Sequence, residues 1–144
     1  MNIEFRLIDQ ADMGSIVPLL MEADPDLSRT TIEDRLIMML ANGYECVGIY
    51  ENGALIGICG IWTLVKYYVG KHLEPDNVFV KPEYQGKGIG QQLQVWLENL
   101  ARSRGCRALE LNCYLSNEPG QRFWESVGYA KLGVHYQKKV VDDI

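Results

Sequence analysis

Val78-Phe79-Val80-Lys81-Pro82-Glu83-Tyr84-Gln85-Gly86-Lys87-Gly88-Ile89-Gly90 marks a change of period in the chain. Before it, Glu74 to Val80 reads as a strand. After it, Leu93, Trp96, Leu97, Leu100 and Ala101 fall on one broad stripe. That spacing predicts a helix from Gly90 to Arg104, closed by Gly105 in the C′ position. Glycines at 86, 88 and 90 let the backbone turn sharply and approach a ligand without a Cβ in the way. Free N–H groups at a helix start, backed by the positive end of the helix dipole, suit phosphate oxygens. The loop alone reads either as a pyrophosphate cradle or as a glycine turn with no ligand. The dinucleotide fingerprint GxGxxG is excluded, because Gln91 stands where its last glycine belongs, and the phosphate loop GxxxxGK[ST] is absent.

Working outward, Ile3, Phe5 and Leu7 alternate as a half-buried strand does. Asp9 to Glu22 has a helical stripe, with Pro18 as a point of kinking or shortening. A second helix is expected from Thr30 or Thr31 to Asn42-Gly43. Tyr44 to Tyr50 and Ala54 to Lys66 flank Glu51-Asn52-Gly53, and Asn-Gly between apolar runs is a strong hairpin signal. Past the loop and its helix come a strand from Ala108 to Cys113 and a helix capped by Asn117 and ending at Gly128. Tyr129 to Lys131 and Val134 to Val140 are expected as closing strands. The pattern predicts one α/β (α+β) domain over residues 1–144. Its centre would be a mixed, mostly antiparallel sheet of about seven strands with helices on both faces.

The chain has 144 residues, enough for a core without staples. Its net charge of −5 argues against nonspecific nucleic-acid or anionic-membrane binding and suits a cationic substrate. The longest near-apolar run, Ala54 to Trp62, is too short to span a bilayer. Cys46, Cys59, Cys106 and Cys113 lack CxxC spacing and have only His72 and His135 for company, so no metal site is expected. Reduced, mostly buried thiols in a cytoplasmic protein are the expectation.

Gln85-x-x-Gly88-x-Gly90, preceded by an apolar strand and Pro82, resembles the acetyl-CoA signature of the GNAT superfamily of N-acetyltransferases. The second half is similar too. Leu109-Glu110-Leu111, Asn117, Phe123-Trp124 and Gly128-Tyr129 follow in the family's order and spacing. The resemblance implies the GNAT fold and acetyl-CoA as co-substrate. Pantetheine would lie along the exposed backbone of Val78, Phe79 and Val80 as an added strand. The pyrophosphate would rest on the amides of Gly86, Lys87, Gly88, Ile89, Gly90 and Gln91, with Gln85 at the rim and Asn117 near the pantetheine arm. A homodimer is an assembly common in the family.

The implied chemistry is attack of an amine on a thioester. An alkyl ammonium with a pKa near 10.4 must first lose its proton. In several relatives a glutamate six residues before the final valine of the strand accepts it. Here that residue is Glu74, with Asp76 in reserve two residues on. The family's usual general acid is a tyrosine after the phenylalanine of the last helix, and Trp124 occupies that place. An indole N–H donates but is no acid, so the leaving thiolate would depart unaided or with Tyr114 or Tyr129 as a substitute. The acceptor is expected to be a small-molecule or protein amine. Two other readings stay open: a non-catalytic acyl-CoA-binding regulatory module, and a transferase for another acyl group.

Overall fold

The computed structural model describes residues 1–142. The chain divides into two compact units, Met1–Leu111 and the part from Asn112 onward. In the first, β1 (Ile3–Leu7), β2 (Glu45–Glu51), β3 (Ala54–Lys66), β4 (Gly70–Val80) and β5 (Ala108–Leu109) form one sheet in sequence order. β1 to β4 are antiparallel neighbours, and β5 joins β4 in parallel. The β2–β3 hairpin turns on Asn52 and Gly53, both at positive φ, as the Asn-Gly signal requires.

The first helical segment is not one helix. A 3-10 helix spans Gln10–Ile16, and α1 (Val17–Ala23) follows with Pro18 in its first turn. Proline has no N–H to give to a preceding turn, but it fits a first turn, so the α-helix starts there. α2 (Arg29–Ala41) begins one residue before Thr30, because the Ser28 side chain accepts the Thr31 N–H at 3.1 Å and caps it. α3 (Ile89–Ser103) matches the expected helix, with Gly105 at φ +72° beyond its end.

Two apolar layers sandwich the sheet. On one face Met13, Ile16, Val17, Leu19, Ile32 and Leu36 pack with Cys46 and Ile58. On the other, Ile89, Leu93, Leu97 and Ala101 of α3 pack on Val47, Ile49, Cys59, Ile61 and Leu73. Arg104, just past α3, grips Glu45 of β2 through two bonds of 2.7 and 2.8 Å. This bidentate, half-buried pair fixes the end of α3 to the sheet.

The sheet has five strands among the described residues, not about seven. Only Ala108–Leu109 of the expected strand at 108–113 pairs, and neither Tyr129–Lys131 nor Val134–Val140 joins a ladder. Alternation reports which side chains seek burial. A strand also needs a partner backbone, and alternation carries no information about that. Within the second unit, α4 (Glu118–Ser126) is capped by Asn117, whose side chain accepts the Gly120 N–H at 3.0 Å. Phe123, Trp124 and Tyr129 stack edge to face.

β4 carries a bulge near its end. Ile58 pairs with Phe79 and Gly60 with Asp76, so Asn77 and Val78 together oppose Cys59. Asn77 takes φ +32°, its N–H bonds Asp76 Oδ1 at 2.8 Å, and its Oδ1 accepts from the Tyr44 hydroxyl at 3.0 Å. Gly60 leaves the room for this. A Cβ there would fall on Asn77 Oδ1 and 2.6 Å from Tyr44 Cε1. Gly60→Val should therefore lower stability by about 1–3 kcal/mol through overpacking. A urea midpoint equal to that of the wild type would show that the bulge does not depend on this gap.

The core thiols add a pH effect. Burial pushes Cys46 up from 9.0 to about 11 and raises Cys59 as well. A raised folded-state pKa means the folded state holds its proton where the unfolded state has lost it. This contribution is complete below about pH 9 and is lost as pH climbs toward 11. The urea midpoint should hold to about pH 9 and fall beyond it, and a midpoint constant to about pH 11 would contradict this.

Candidate active site

The chain leaves β4 through a short 3-10 helix, Pro82–Tyr84, and enters α3 through Gln85 to Gly88. Gly86 lies at φ +73° and Gly88 at φ +81°. An ideal Cβ on Gly86 would meet no heavy atom within 4 Å, and one on Gly88 only Gln91 Oε1 at 3.8 Å. The space over the loop backbone is therefore open. Gly88 caps α3 without a side chain, and the helix's first bond runs from Gln92 N–H to Gly88 O at 3.3 Å. The N–H groups of Ile89, Gly90 and Gln91 thus have no partner inside the helix, and the positive end of its dipole lies behind them. Gln85 pins the rim by donating from Nε2 to Val80 O at 2.8 Å. Lys87 is exposed, with Nζ 5.8 Å from the Tyr84 ring centre. A group with anionic oxygens fits this cradle, whose volume a side chain at 86 or 88 would fill.

The loop continues from a free strand edge. Pairing of β4 with β5 stops at Leu73–Leu109, and the last backbone bond between them runs from Glu110 N–H to Leu73 O at 3.0 Å. From Glu74 to Val80 the far side of β4 has no strand partner among the described residues. Lys81 N–H bonds Ile56 O on the β3 side. By alternation Phe79 also turns its backbone toward β3, while Val78 and Val80 turn theirs toward the open side. Gln85 reaching Val80 O agrees with that parity.

Acidic and aromatic groups gather further back along β4. Glu74 pairs in register with Trp62, and the Trp62 indole N–H donates to Asp76 Oδ2 at 3.0 Å. Glu74 is half-buried and Asp76 exposed. The bulge resets the strand parity, so Phe79, opposite Ile58, shares the face of Glu74 and Asp76, and Val78 does not. His72 is fully buried on the same face, with Nδ1 3.3 Å from Gly70 O and Nε2 3.8 Å from Glu110 Oε1. Glu110 Oε1 also accepts from the Tyr68 hydroxyl at 2.5 Å. That bond first, then burial and the charges of Glu110 and Glu74, holds the Tyr68 hydroxyl above its ordinary pKa.

The structure thus places Gln85 to Gln91 in one loop and helix start, and Val78 to Val80 on the free edge beside it. Glu74 and Asp76 lie on one sheet face of the same strand. Asn117 and Trp124 belong to the second unit, where the first caps α4 and the second stacks between Phe123 and Tyr129. Sequence reading missed Asn77 and the approach of His72 to Glu110. For Glu110 a signal existed: it follows a short strand whose partner carries His72 and Glu74 at matching parity.

Among the described residues no helix is long and apolar enough to cross a membrane, and no cluster of His, Cys, Asp and Glu has the makings of a metal site. Several known proteins share this architecture. A ribosomal-protein-alanine N-acetyltransferase from Brucella melitensis superposes with a TM-score of 0.82 at 22% identity, covering 97% of this chain and 100% of that one. The aminoglycoside N-acetyltransferase AAC(6')-Iy in complex with CoA gives 0.81 at 16% identity, covering 97% and 96%. A Bacillus subtilis protein provisionally assigned as a [ribosomal protein bS18]-alanine N-acetyltransferase is 30% identical over 97 residues. That stretch is 67% of this chain but 61% of the relative, so the chain spans under two thirds of that protein's length. The profile of the acetyltransferase (GNAT) family matches residues 13–129, from before α1 to beyond α4 and across the glycine loop and the free edge of β4. The chain belongs to the acetyltransferase (GNAT) family.

Proposed function

We propose that this protein is an acetyl-CoA-dependent N-acetyltransferase that moves an acetyl group to a primary amine by direct attack on the thioester. The observation that carries the reading is the continuity of the free β4 edge with the glycine loop. An extended pantetheine arm needs unpaired backbone groups, and the pyrophosphate that ends it needs N–H donors without side chains over them. Val78, Val80 and the start of α3 supply the two in that order along the chain.

Acetyl-CoA brings an activated acyl carbon, and the protein's residues do the rest. Glu74 accepts the ammonium proton, directly or through water, so that the neutral nitrogen can form the C–N bond. A backbone N–H on the open side of β4, at Val78 or Val80, donates to the thioester oxygen as negative charge builds there. The C–S bond then breaks and the thiolate leaves. Asp76 is the weaker base candidate, because one of its oxygens already holds the Trp62 indole N–H and the other the Asn77 N–H. Trp124 stacks on two aromatic rings, which supports a packing role rather than an acid's role.

The loop is tested by Gly88→Asn. Asparagine tolerates the left-handed backbone of Gly88 but places a side chain over the open amides. Acetyl-CoA affinity by calorimetry should drop about tenfold or more, with the melting temperature nearly unchanged. Undiminished affinity would remove the loop from the cofactor site.

The base is tested by Glu74→Gln. Near pH 7 this substitution should lower kcat/KM for an amine by about a hundredfold, and the deficit should shrink as pH rises and more amine arrives neutral. A loss that does not vary with pH would assign Glu74 to binding instead. Tight acetyl-CoA binding with no thiol release for any of a broad set of amines would favour the regulatory module.

A further inference from the structure

Two carboxylates lie where the sheet opens. The parallel register pairs His72 with Ala108 and Leu73 with Leu109, so Glu74 and Glu110 are the first residues past the paired stretch on their two strands, and the charges of both act on the Tyr68 hydroxyl. Alternation puts both on the face that carries His72. Like charges on neighbouring strands oppose each other. Among the described residues neither carboxylate is paired with a lysine or arginine.

His72 is a second, independent sign. It is fully buried, and its Nε2 has no hydrogen-bond partner. Its Nδ1 lies 3.3 Å from Gly70 O and its Nε2 3.8 Å from Glu110 Oε1, beyond hydrogen-bond reach. A buried ring nitrogen left without a partner beside a carboxylate leaves a place for a cationic donor on Glu110. Two residues beyond β3, the exposed Tyr68 ring flanks the same carboxylate, and Tyr67 packs edge to face on it at 6.1 Å. Glu22, the one charged residue of α1, which also packs on β4, is exposed.

We propose that Glu110, flanked by Tyr68 and positioned by His72, holds a second ammonium of the acceptor, so that the preferred acceptors are short aliphatic diamines or polyamines. The proposal rests on the acetyltransferase reading. The reacting nitrogen lies at Glu74 and the other at Glu110. An ammonium carries three N–H donors and offsets the repulsion of the two carboxylates, and the alkyl chain packs against an aromatic face. The net charge of −5 acts in the same direction over longer range.

The test compares 1,4-diaminobutane with n-butylamine at low salt by thiol release. The wild type should favour the diamine by about tenfold or more in kcat/KM, mostly through KM. Glu110→Gln should raise KM for the diamine toward that of the monoamine, and so should Tyr68→Ala at its exposed position. His72→Gln should do the same to a smaller degree, with kcat less affected than KM. Equal kcat/KM for the two amines in the wild type overturns the proposal while the acetyltransferase reading stands. No turnover of either amine although acetyl-CoA binds counts against the acetyltransferase reading, which the broad set of amines decides. Calorimetry of 1,4-diaminobutane with the CoA-saturated protein then decides the subsite. Binding that Glu110→Gln abolishes supports it, and no binding to the wild type overturns it.

Discussion

The site depends on one broken ladder. β4 gives its far edge to β5 for two residues and then keeps seven more, Glu74 to Val80, without a strand partner on that side among the described residues. An unpaired edge is normally a hazard, since it invites other chains to pair with it. Here the edge is short, and it ends in a loop whose backbone is open as well. The pairing of β5 with β4 ends there at the Glu110 N–H, and the Glu110 carboxylate lies beside His72 and Tyr68.

The bulge at Asn77 and Val78 divides the edge into two halves. Before it, Glu74 and Asp76 share a face with Trp62. After it, Val78 and Val80 direct backbone groups into the gap. One extra residue therefore separates a stretch that works through side chains from one that works through the main chain. The bulge is held by Tyr44 and Trp62, neighbouring aromatics that hydrogen-bond Asn77 and Asp76 respectively. Gly60 beneath them has no side chain to interfere.

Much of this was legible in the sequence where the signal was local. The apolar stripe of α3, the Asn-Gly turn, the Asn117 cap and the glycine loop each follow from neighbours within a few residues. The closing strands and the length of β5 were not, because pairing is decided by a distant backbone. That Val78 leaves the face of Glu74 and Asp76 was illegible for a related reason. A bulge appears only when two strands are compared, and nothing in Asp76-Asn77-Val78 announces it except asparagine's tolerance of a left-handed backbone. The pairing of His72 with Glu110 joins residues 38 apart and depends on the parallel register of a two-residue strand.

The buried thiols have a bearing on turnover. The proposed reaction frees one thiol per cycle, and a free thiol pool in contact with air supplies disulfides that exchange with any protein thiolate they can reach. Cys46 is wholly shielded, and with its pKa near 11 only about one molecule in ten thousand would carry the thiolate at pH 7. Cys59, equally shielded, is held in its neutral form by the same cause. The centre of the sheet therefore does not enter exchange with the coenzyme its own edge would release.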